Sequence, residues 1–387
     1  MKRTTAFIVL GLAPCALAQP AWFMPVGDLP GGYFFSVCND ISADGQLAVG
    51  GSAINSAFVS EGAFSWSQHE GLTYLGDLDG DPEQSSGDAI SPDGTTIAGY
   101  GRTSNQGRLA MRYDTRTSTM VSLGDLPGGT NNSSAYGVSN AGRVIVGEGR
   151  MTNGRTGFRW TAETGMQPLT PLGKFNNAAI STARGVSADG SIVVGESTVS
   201  DGWAAVVWRE DGSVQTLPRH RTGANLTKAY AVSDNGRFVG GHGSGFDENN
   251  NSFEDPVIWD LITGDTLRLG DDSDPYVGGQ VNDITDDGNI AIGSGLTIPM
   301  QSQHNFIWFR DRGFVTATDY FKELGFDLDT SRWGQVHFTA ITPDGRYVTG
   351  WAYNPDGFTE GFVARIPAPG ALGLLAIGAA GLARRRR

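Results

Sequence analysis

The sequence predicts an all-β fold: a single β-propeller of seven four-stranded blades, closed into a ring by a strand at the N-terminal end. Three observations carry this. The pattern [VI]-[ST]-x-[DNA]-G-x-x-x-x-G occurs seven times, its first glycine at Gly45, Gly94, Gly142, Gly190, Gly236, Gly288 and Gly345. Successive spacings are 49, 48, 48, 46, 52 and 57 residues, a period that marks arrays and propellers. An aromatic recurs downstream of it at Trp66, Tyr113, Trp160, Trp208, Trp259 and Trp308. No segment sustains a helical period of apolar residues.

The unit beginning at Leu123 shows the elements in order. Four β-prone runs, Ala135–Ser139, Arg143–Glu148, Thr156–Thr161 and Gly165–Leu169, are each about five residues long and bounded by Gly, Asn or Asp. Four strands in this length make one blade. In the box, Val or Ile ends the first strand and faces the core. The Ser or Thr bonds nearby backbone amides, and Asp or Asn followed by Gly supplies a tight turn. The second glycine, five residues on, marks a bulge or a close backbone approach, expected where neighbouring blades crowd. These residues have a complete structural explanation and are assigned no chemistry. The recurrent aromatic reads as inter-blade core, with a sugar-binding ring of exposed aromatics as the sharper alternative.

Repeats one to six each carry a fourth strand, for example Leu72–Leu75, Met120–Leu123 and Val214–Leu217, whereas the seventh stops at Arg365-Ile366. Trp22–Leu29 looks like an unattached copy of the missing strand, and pairing it with the last blade would close the ring and remove two sheet edges. Thr318–Leu328 is the one helical piece expected within the repeats, lying outside the ring.

The two ends are set apart from the core, which spans 19–366. Residues 1–18 read as a secretory signal: Lys2 and Arg3, the apolar stretch Ala6–Ala13, and the A-x-A site Ala16-Leu17-Ala18. Leu12-Ala13-Pro14-Cys15 has the outline of a lipobox, which Pro14 disfavours. Residues 367–387 contain Pro367-Ala-Pro-Gly370, a short apolar helix of small residues over Ala371–Ala383, and Arg384–Arg387. Thirteen helical residues would span about 20 Å, short of a hydrocarbon core of about 30 Å.

Charge narrows the partners. The signal removes two basic residues and the tail four, none acidic, so the net charge deepens from −13 to about −19 in the core. Such a surface repels nucleic acid and anionic lipid and suits cations or neutral glycans. Cys38 is the sole core cysteine, so no intramolecular disulfide forms there, and it reads as a small buried side chain.

Chemistry is sparse. His69, His220, His242, His304 and His337 form no zinc-binding spacing, and no G-x-S-x-G elbow occurs. The candidate cation ligands are Asp77, Asp79 and Asp81, with Asp88 at loop position twelve, and a second acidic loop spans Asp247–Asp255. Calcium prefers such oxygen ligands, although Pro82 stands where an EF-hand loop has glycine. Solvated turns are the plainer reading of both loops. No catalytic residue and no other cofactor is assigned.

The boxes LGDLPGG at Leu123–Gly129, its partner at Gly27–Gly32 and the variant at Leu75–Gly80 recur before GVS-type boxes, repeats four to six carry degraded copies (TPLGKFN, LPRHRTG, LGDDSDP), and Asn354–Pro367 (NPDGFTEGFVARIP) closes the series. Together they resemble the extracellular HAF-repeat family over about residues 27–367. The tail resembles the PEP-CTERM sorting signal, in a Pro-Ala-Pro-Gly variant. The first resemblance implies secreted or surface proteins with propeller-like folds and no established catalytic residues. The second implies an exosortase-type processing enzyme as partner, transient membrane contact through the tail and delivery to the cell surface. The expected protein is thus an exported, monomeric surface protein that binds glycan or matrix. The alternative is an extracellular enzyme acting on polysaccharide, with acids converging at one propeller face.

Overall fold

The computed structural model describes residues 20–55, 61–78, 84–104, 107–152, 154–270, 276–297, 303–328 and 331–367. The signal and nearly all of the sorting tail therefore lie outside the described residues. Among the described residues, twenty-eight strands form seven antiparallel sheets, with single bridges joining blades 2 to 3 and 4 to 5. Blade 1 comprises Ser36–Ile41, Ala48–Ala53, Glu61–Ser67 and Gly71–Gly76. Blades 2 to 6 repeat this order.

Blade 7 supplies only three strands of its own: Gly334–Ile341, Tyr347–Tyr353 and Thr359–Arg365. Its fourth is Trp22–Pro25, antiparallel to the last of these with Trp22 opposite Arg365 and Pro25 opposite Phe362. The chain thereby closes the ring as its repeat count requires. Phe23 seals the junction: it stacks on Phe362 at 4.9 Å and meets Phe321 and Trp333 edge-on.

The turn box folds alike in every blade. Its first glycine has φ between +62° and +81° in all seven copies, a region costly for any residue with a Cβ. Ser42 shows the side-chain role: its hydroxyl donates to Asp44 Oδ1 (2.7 Å) and accepts from the Leu47 amide (3.1 Å). In blade 3 the acid is replaced by Ala141, whose amide is bound instead by Asp93 of blade 2 (2.9 Å).

The second glycine has a different cause from the one the sequence suggests. Each first strand carries a bulge, for example between Cys38 and Asp40 or between Ala183 and Gly185. The bulge pushes a carbonyl of the first strand against the second strand of the same blade. A Cβ at Gly50, Gly99, Gly147, Gly195, Gly241, Gly293 or Gly350 would overlap the carbonyl of Val37, Ser86, Ser134, Thr182, Lys228, Gln280 or His337 respectively. The crowding is therefore within a blade rather than between blades.

Between blades lie seven apolar clusters, one at each seam. Trp66 joins Cys38 and Phe64 of blade 1 to Ala340 and Val363 of blade 7. Tyr113, Trp208, Trp259 and Trp308 are buried at the next seams, with Trp160 partly covered at another. The recurrent aromatic is thus inter-blade core. Cys38 is fully buried, and burial pushes its thiol up to about 12.

The helix spans Ala317–Glu323, capped by Thr316, whose hydroxyl accepts from the Asp319 amide at 3.0 Å. It lies outside the sheets as expected, yet it also drives Tyr320 and Phe321, both fully buried, into the seam between blades 6 and 7.

Replacing Gly195 by Ala is expected to cost about 3 kcal/mol or more, because backbone must move. Gly165→Ala, at φ +65° with no atom within 4 Å of a new Cβ, should cost about 1 kcal/mol. Denaturant titration of the two variants checks this contrast. Phe23→Ala should cost about 2–3 kcal/mol by emptying the closure junction, and an unchanged unfolding midpoint would show that the closing strand does not hold the ring.

Candidate functional site: the central channel

The bulge places two consecutive residues of each first strand at the ring axis. The first of the pair is Asn39, Asp88, Tyr136, Arg184, Tyr230, Asn282 and Thr339 in blades 1 to 7. The second is Asp40, Ala89, Gly137, Gly185, Ala231, Asp283 and Ala340. All fourteen line one cavity of about 190 Å³, which reaches down to the turns at Ala43, Pro92, Asp234 and Pro343.

Those turns are tied into a chain around one end of the channel. Ala43 N–H donates to Pro92 O, Asn140 N–H to Ala188 O, Ala188 N–H to Asp234 O and Asp286 N–H to Pro343 O, all within 2.9–3.0 Å. The two remaining links use side chains: Asp93 N–H to Asn140 Oδ1 (3.1 Å) and Asn235 N–H to Asp286 Oδ1 (2.9 Å).

The wall divides into two arcs. On blades 6, 7 and 1 the first channel residue closes a seam. Asn282 Nδ2 donates to Phe338 O (3.1 Å), Thr339 Oγ1 to Cys38 O (2.8 Å) and Asn39 Nδ2 to Gly87 O (3.1 Å). Here too Asp283 and Asp40 bridge blades. Asp283 accepts from the Ile284 and Ile341 amides and Asp40 from the Ile41 and Ile90 amides, each at 2.8 Å. This arc is structural.

On blades 2 to 5 the same position holds Asp88, Tyr136, Arg184 and Tyr230, none of which caps the neighbouring blade. Arg184 donates through Nε (3.3 Å) and Nη2 (3.1 Å) to the two oxygens of Glu196, which is fully buried. Its guanidinium lies 5.5 Å from the Tyr136 ring and 5.7 Å from the Tyr230 ring. Tyr230 is stacked in turn on His242, 5.5 Å away at 17°. The layers Tyr136, Arg184, Tyr230 and His242 thus support one another. Among the described residues, the two tyrosine hydroxyls and Arg184 Nη1 have no protein hydrogen bond.

A second ring stands behind the first, at the residue following each second glycine. Tyr100 lies under the Arg108 guanidinium at 3.4 Å and donates to Glu61 Oε2 at 3.5 Å. Glu148 accepts from Thr182 Oγ1 (3.1 Å) and Arg155 Nη1 (3.4 Å). On blade 7, Trp351 stacks on His337 at 3.7 Å and 11°.

Burial dominates the electrostatics. It raises the carboxyls of Asp40 and Asp234 to about 7, that of Glu61 to about 7 with help from Asp88, and that of Asp88 to about 6 against its bond from Ser86. Asp283 is pushed well above the usual carboxylate range, first by burial and further by the Asp40 and Asp234 charges. Burial also raises Tyr136 and Tyr230 to about 12, so both hydroxyls remain protonated. It lowers His242 and His337 to about 4 and keeps them neutral.

Of the candidate calcium residues, Asp77 does not line the channel. Asp77 organises its own loop, accepting from the Leu78 amide (2.7 Å) and the Gln84 amide (3.0 Å), while Asp79 and Asp81 lie outside the described residues. Asp88, read as a loop position, is instead a channel residue. In the second acidic loop, Asp247 accepts from the Asn249 and Asn251 amides at 2.9 and 2.8 Å. Asp255 turns inward to His220 Nε2 (2.7 Å), Arg221 and Arg268. Among the described residues no group of three or more His, Cys, Asp or Glu is placed to hold a metal ion.

Sequence reading did not find the channel residues. Their signal is the column two residues before the Val/Ile of the box, which holds a polar, charged or tyrosine side chain in every blade and changes type from blade to blade.

This geometry defines a seven-bladed propeller with an asymmetric polar channel. No protein-family model matches the chain, and no curated protein matches it. Solved structures do. The chain is similar to the oligogalacturonate lyase of Vibrio parahaemolyticus at 15% identity and TM-score 0.53, covering 90% of this chain and 98% of that one. It is similar to the β-propeller domain of the trilobed protease of Pyrococcus furiosus at 13% identity and TM-score 0.51, covering 90% and 94%. That domain is described as having an open velcro topology, whereas here a terminal strand closes the ring. Against TolB of Acinetobacter baumannii the TM-score is 0.45 at 12% identity, and the chain spans 65% of that protein's length. At such identities the likeness is one of fold, shared by enzymes and non-enzymes.

The raised carboxyls set a pH dependence. A carboxyl raised in the folded state binds protons there that the unfolded chain has released, so its contribution to stability is lost as pH rises from about 4 towards its folded value. The two depressed imidazoles act in the opposite sense between about pH 4 and 6.5. The five raised carboxyls outnumber them. The unfolding temperature is therefore expected to be higher at pH 5 than at pH 7.5, and Asp40→Asn should reduce the difference. Thermal scans across that range check it.

Proposed function

We propose that this is an exported bacterial surface or extracellular repeat protein with a binding or matrix role, whose ligand engages the channel wall of blades 2 to 5. The observation that carries the reading is the division of the wall. Three blades use the first channel residue to close a seam, while four adjacent blades give the same position to Asp88, Tyr136, Arg184 and Tyr230. The half-buried Arg184 pairs with the buried Glu196, lies against two tyrosine rings, and closes no seam with the neighbouring blade. Buried polar networks are costly unless satisfied, and this one leaves hydrogen-bonding capacity directed at a cavity.

The address rests on the two ends of the chain. The 1–18 signal, the PEP-CTERM-like tail and the HAF-like boxes support export, processing by an exosortase-type enzyme and display at the surface. The acidic core supports a neutral glycan or matrix partner over nucleic acid.

A second reading has its own observation. Glu61 and Asp88, from neighbouring blades, interact closely enough for Asp88 to raise Glu61, and both lie in the range of groups that exchange protons near neutrality. Such a pair suits an extracellular enzyme acting on polysaccharide. The lyase similarity bears on this reading only as a neighbour in fold.

Glycan-array binding, with calcium and then with chelator, tests the first reading. Selective binding that disappears in Arg184→Ala is expected, and chelator should matter only if the Asp77–Asp81 or Asp247–Asp255 loops take part. Turnover of a polysaccharide that is lost in Glu61→Gln, without stable binding, would favour the enzyme.

A further inference from the structure

We infer that the channel wall of blades 2 to 5 is a subsite for one neutral, polyhydroxylated ring, such as the terminal residue of an uncharged glycan. The inference rests on the binding role proposed above and names its ligand class.

The first argument is the set of uncommitted groups. Arg184 gives one edge of its guanidinium to Glu196 and keeps the N–H bonds of Nη1 and the second of Nη2. Tyr136 and Tyr230 each keep a protonated hydroxyl that both donates and accepts. Asp88 accepts from Ser86 at Oδ1 (2.7 Å) and keeps Oδ2. Vicinal hydroxyls need donors and acceptors side by side, and planar side chains such as guanidinium and carboxylate engage two at once. Glu196 and the flanking rings hold Arg184 in place before any ligand arrives, which lowers the ordering cost of binding.

The second argument is charge. Asp40, Asp88, Asp234 and Asp283 line the cavity against Arg184 alone, and Arg184 is already paired with Glu196. Burial leaves Asp40, Asp234 and Asp283 largely protonated near neutrality, so an anionic ligand would meet the Asp88 carboxylate and no unpaired cation. An organic cation would seek the faces of Tyr136 and Tyr230, and Arg184 already lies against both. The aspartates of the cavity do not come together in a group of three or more placed to hold a metal ion among the described residues. A neutral ligand faces none of these obstacles.

The third argument is size. The cavity of about 190 Å³ is smaller than the roughly 300–1,000 Å³ of sites that enclose drug-sized molecules. One ring fits the scale of the site, and the rest of a chain would continue out of the channel.

Calorimetric titration of the full-length protein provides the test. The probes are methyl glycosides of glucose, galactose and mannose, myo-inositol, galacturonate and glucosamine. Binding of at least one neutral probe is expected. It should fall roughly tenfold or more in Tyr136→Phe/Tyr230→Phe, which removes only two hydroxyls. It should vanish in Arg184→Lys, since an ammonium cannot hold Glu196 and reach a ligand in the same fork. Unfolding midpoints show which variants remain folded, and the tyrosine pair keeps the test decisive if Arg184→Lys is unstable. Galacturonate or glucosamine binding that depends on these residues, with no neutral probe bound, overturns the ligand class and leaves the channel reading standing. Neutral-probe binding unaffected by the tyrosine pair overturns the subsite and the channel reading together. Silence from every probe overturns the subsite, and if the glycan array is silent as well, the binding role falls with it.

Discussion

The structure depends on a bulge in the first strand of each blade set against a glycine in the second. The extra residue forces a carbonyl towards the neighbouring strand, and only a residue without a side chain can stand opposite it. The same distortion brings two consecutive residues to the axis where an undistorted strand would alternate. Repeated around the ring, one local irregularity becomes a lined channel. Scaffold and site are therefore not separable parts of this molecule, because the feature that fixes the blade also aims the functional residues.

The ring then divides its labour unequally. The seams running from blade 6 through 7 and 1 to blade 2 are closed by amides, a hydroxyl and two half-buried aspartates that each hold amides of two blades. That arc also contains the junction where the two ends of the chain meet, and its seams carry much of the aromatic packing: Phe23, Phe321, Phe338 and Phe362. The opposite arc, farthest from the junction, carries the arginine–tyrosine layers. Concentrating connections at the closure leaves the remaining blades free to give the same position to side chains that close no seam.

Much of this architecture could be read from the residues. The period set the blade count, the unfinished seventh repeat pointed to Trp22–Leu29, and the aromatic column located the seams. The helix was found but not its role, since nothing in TDYFKELGFDL shows that Tyr320 and Phe321 would be fully enclosed. The second glycine was understood as a close approach but placed between blades, because a sequence reveals that space is scarce without revealing whose atoms fill it. The channel chemistry was missed for a deeper reason. Asp88, Tyr136, Arg184 and Tyr230 are 46 to 48 residues apart and hold a fixed place in the repeat, but their chemistry varies, so no motif marks them as one site. Only the bulge register brings them to one wall. Asp77, Asp79 and Asp81 drew notice because they are adjacent in sequence, which is where a propeller least needs its converging groups to be.

The closing strand also determines how the molecule would bear load. Thr359–Arg365 is hydrogen-bonded on one side to Tyr347–Tyr353 and on the other to Trp22–Pro25. A pull entering the ring at Ile366 runs along that strand, so it shears two ladders at once instead of peeling one from its end. A propeller pulled from that side is loaded along a strand held by two ladders, the same strand that clasps the ring closed.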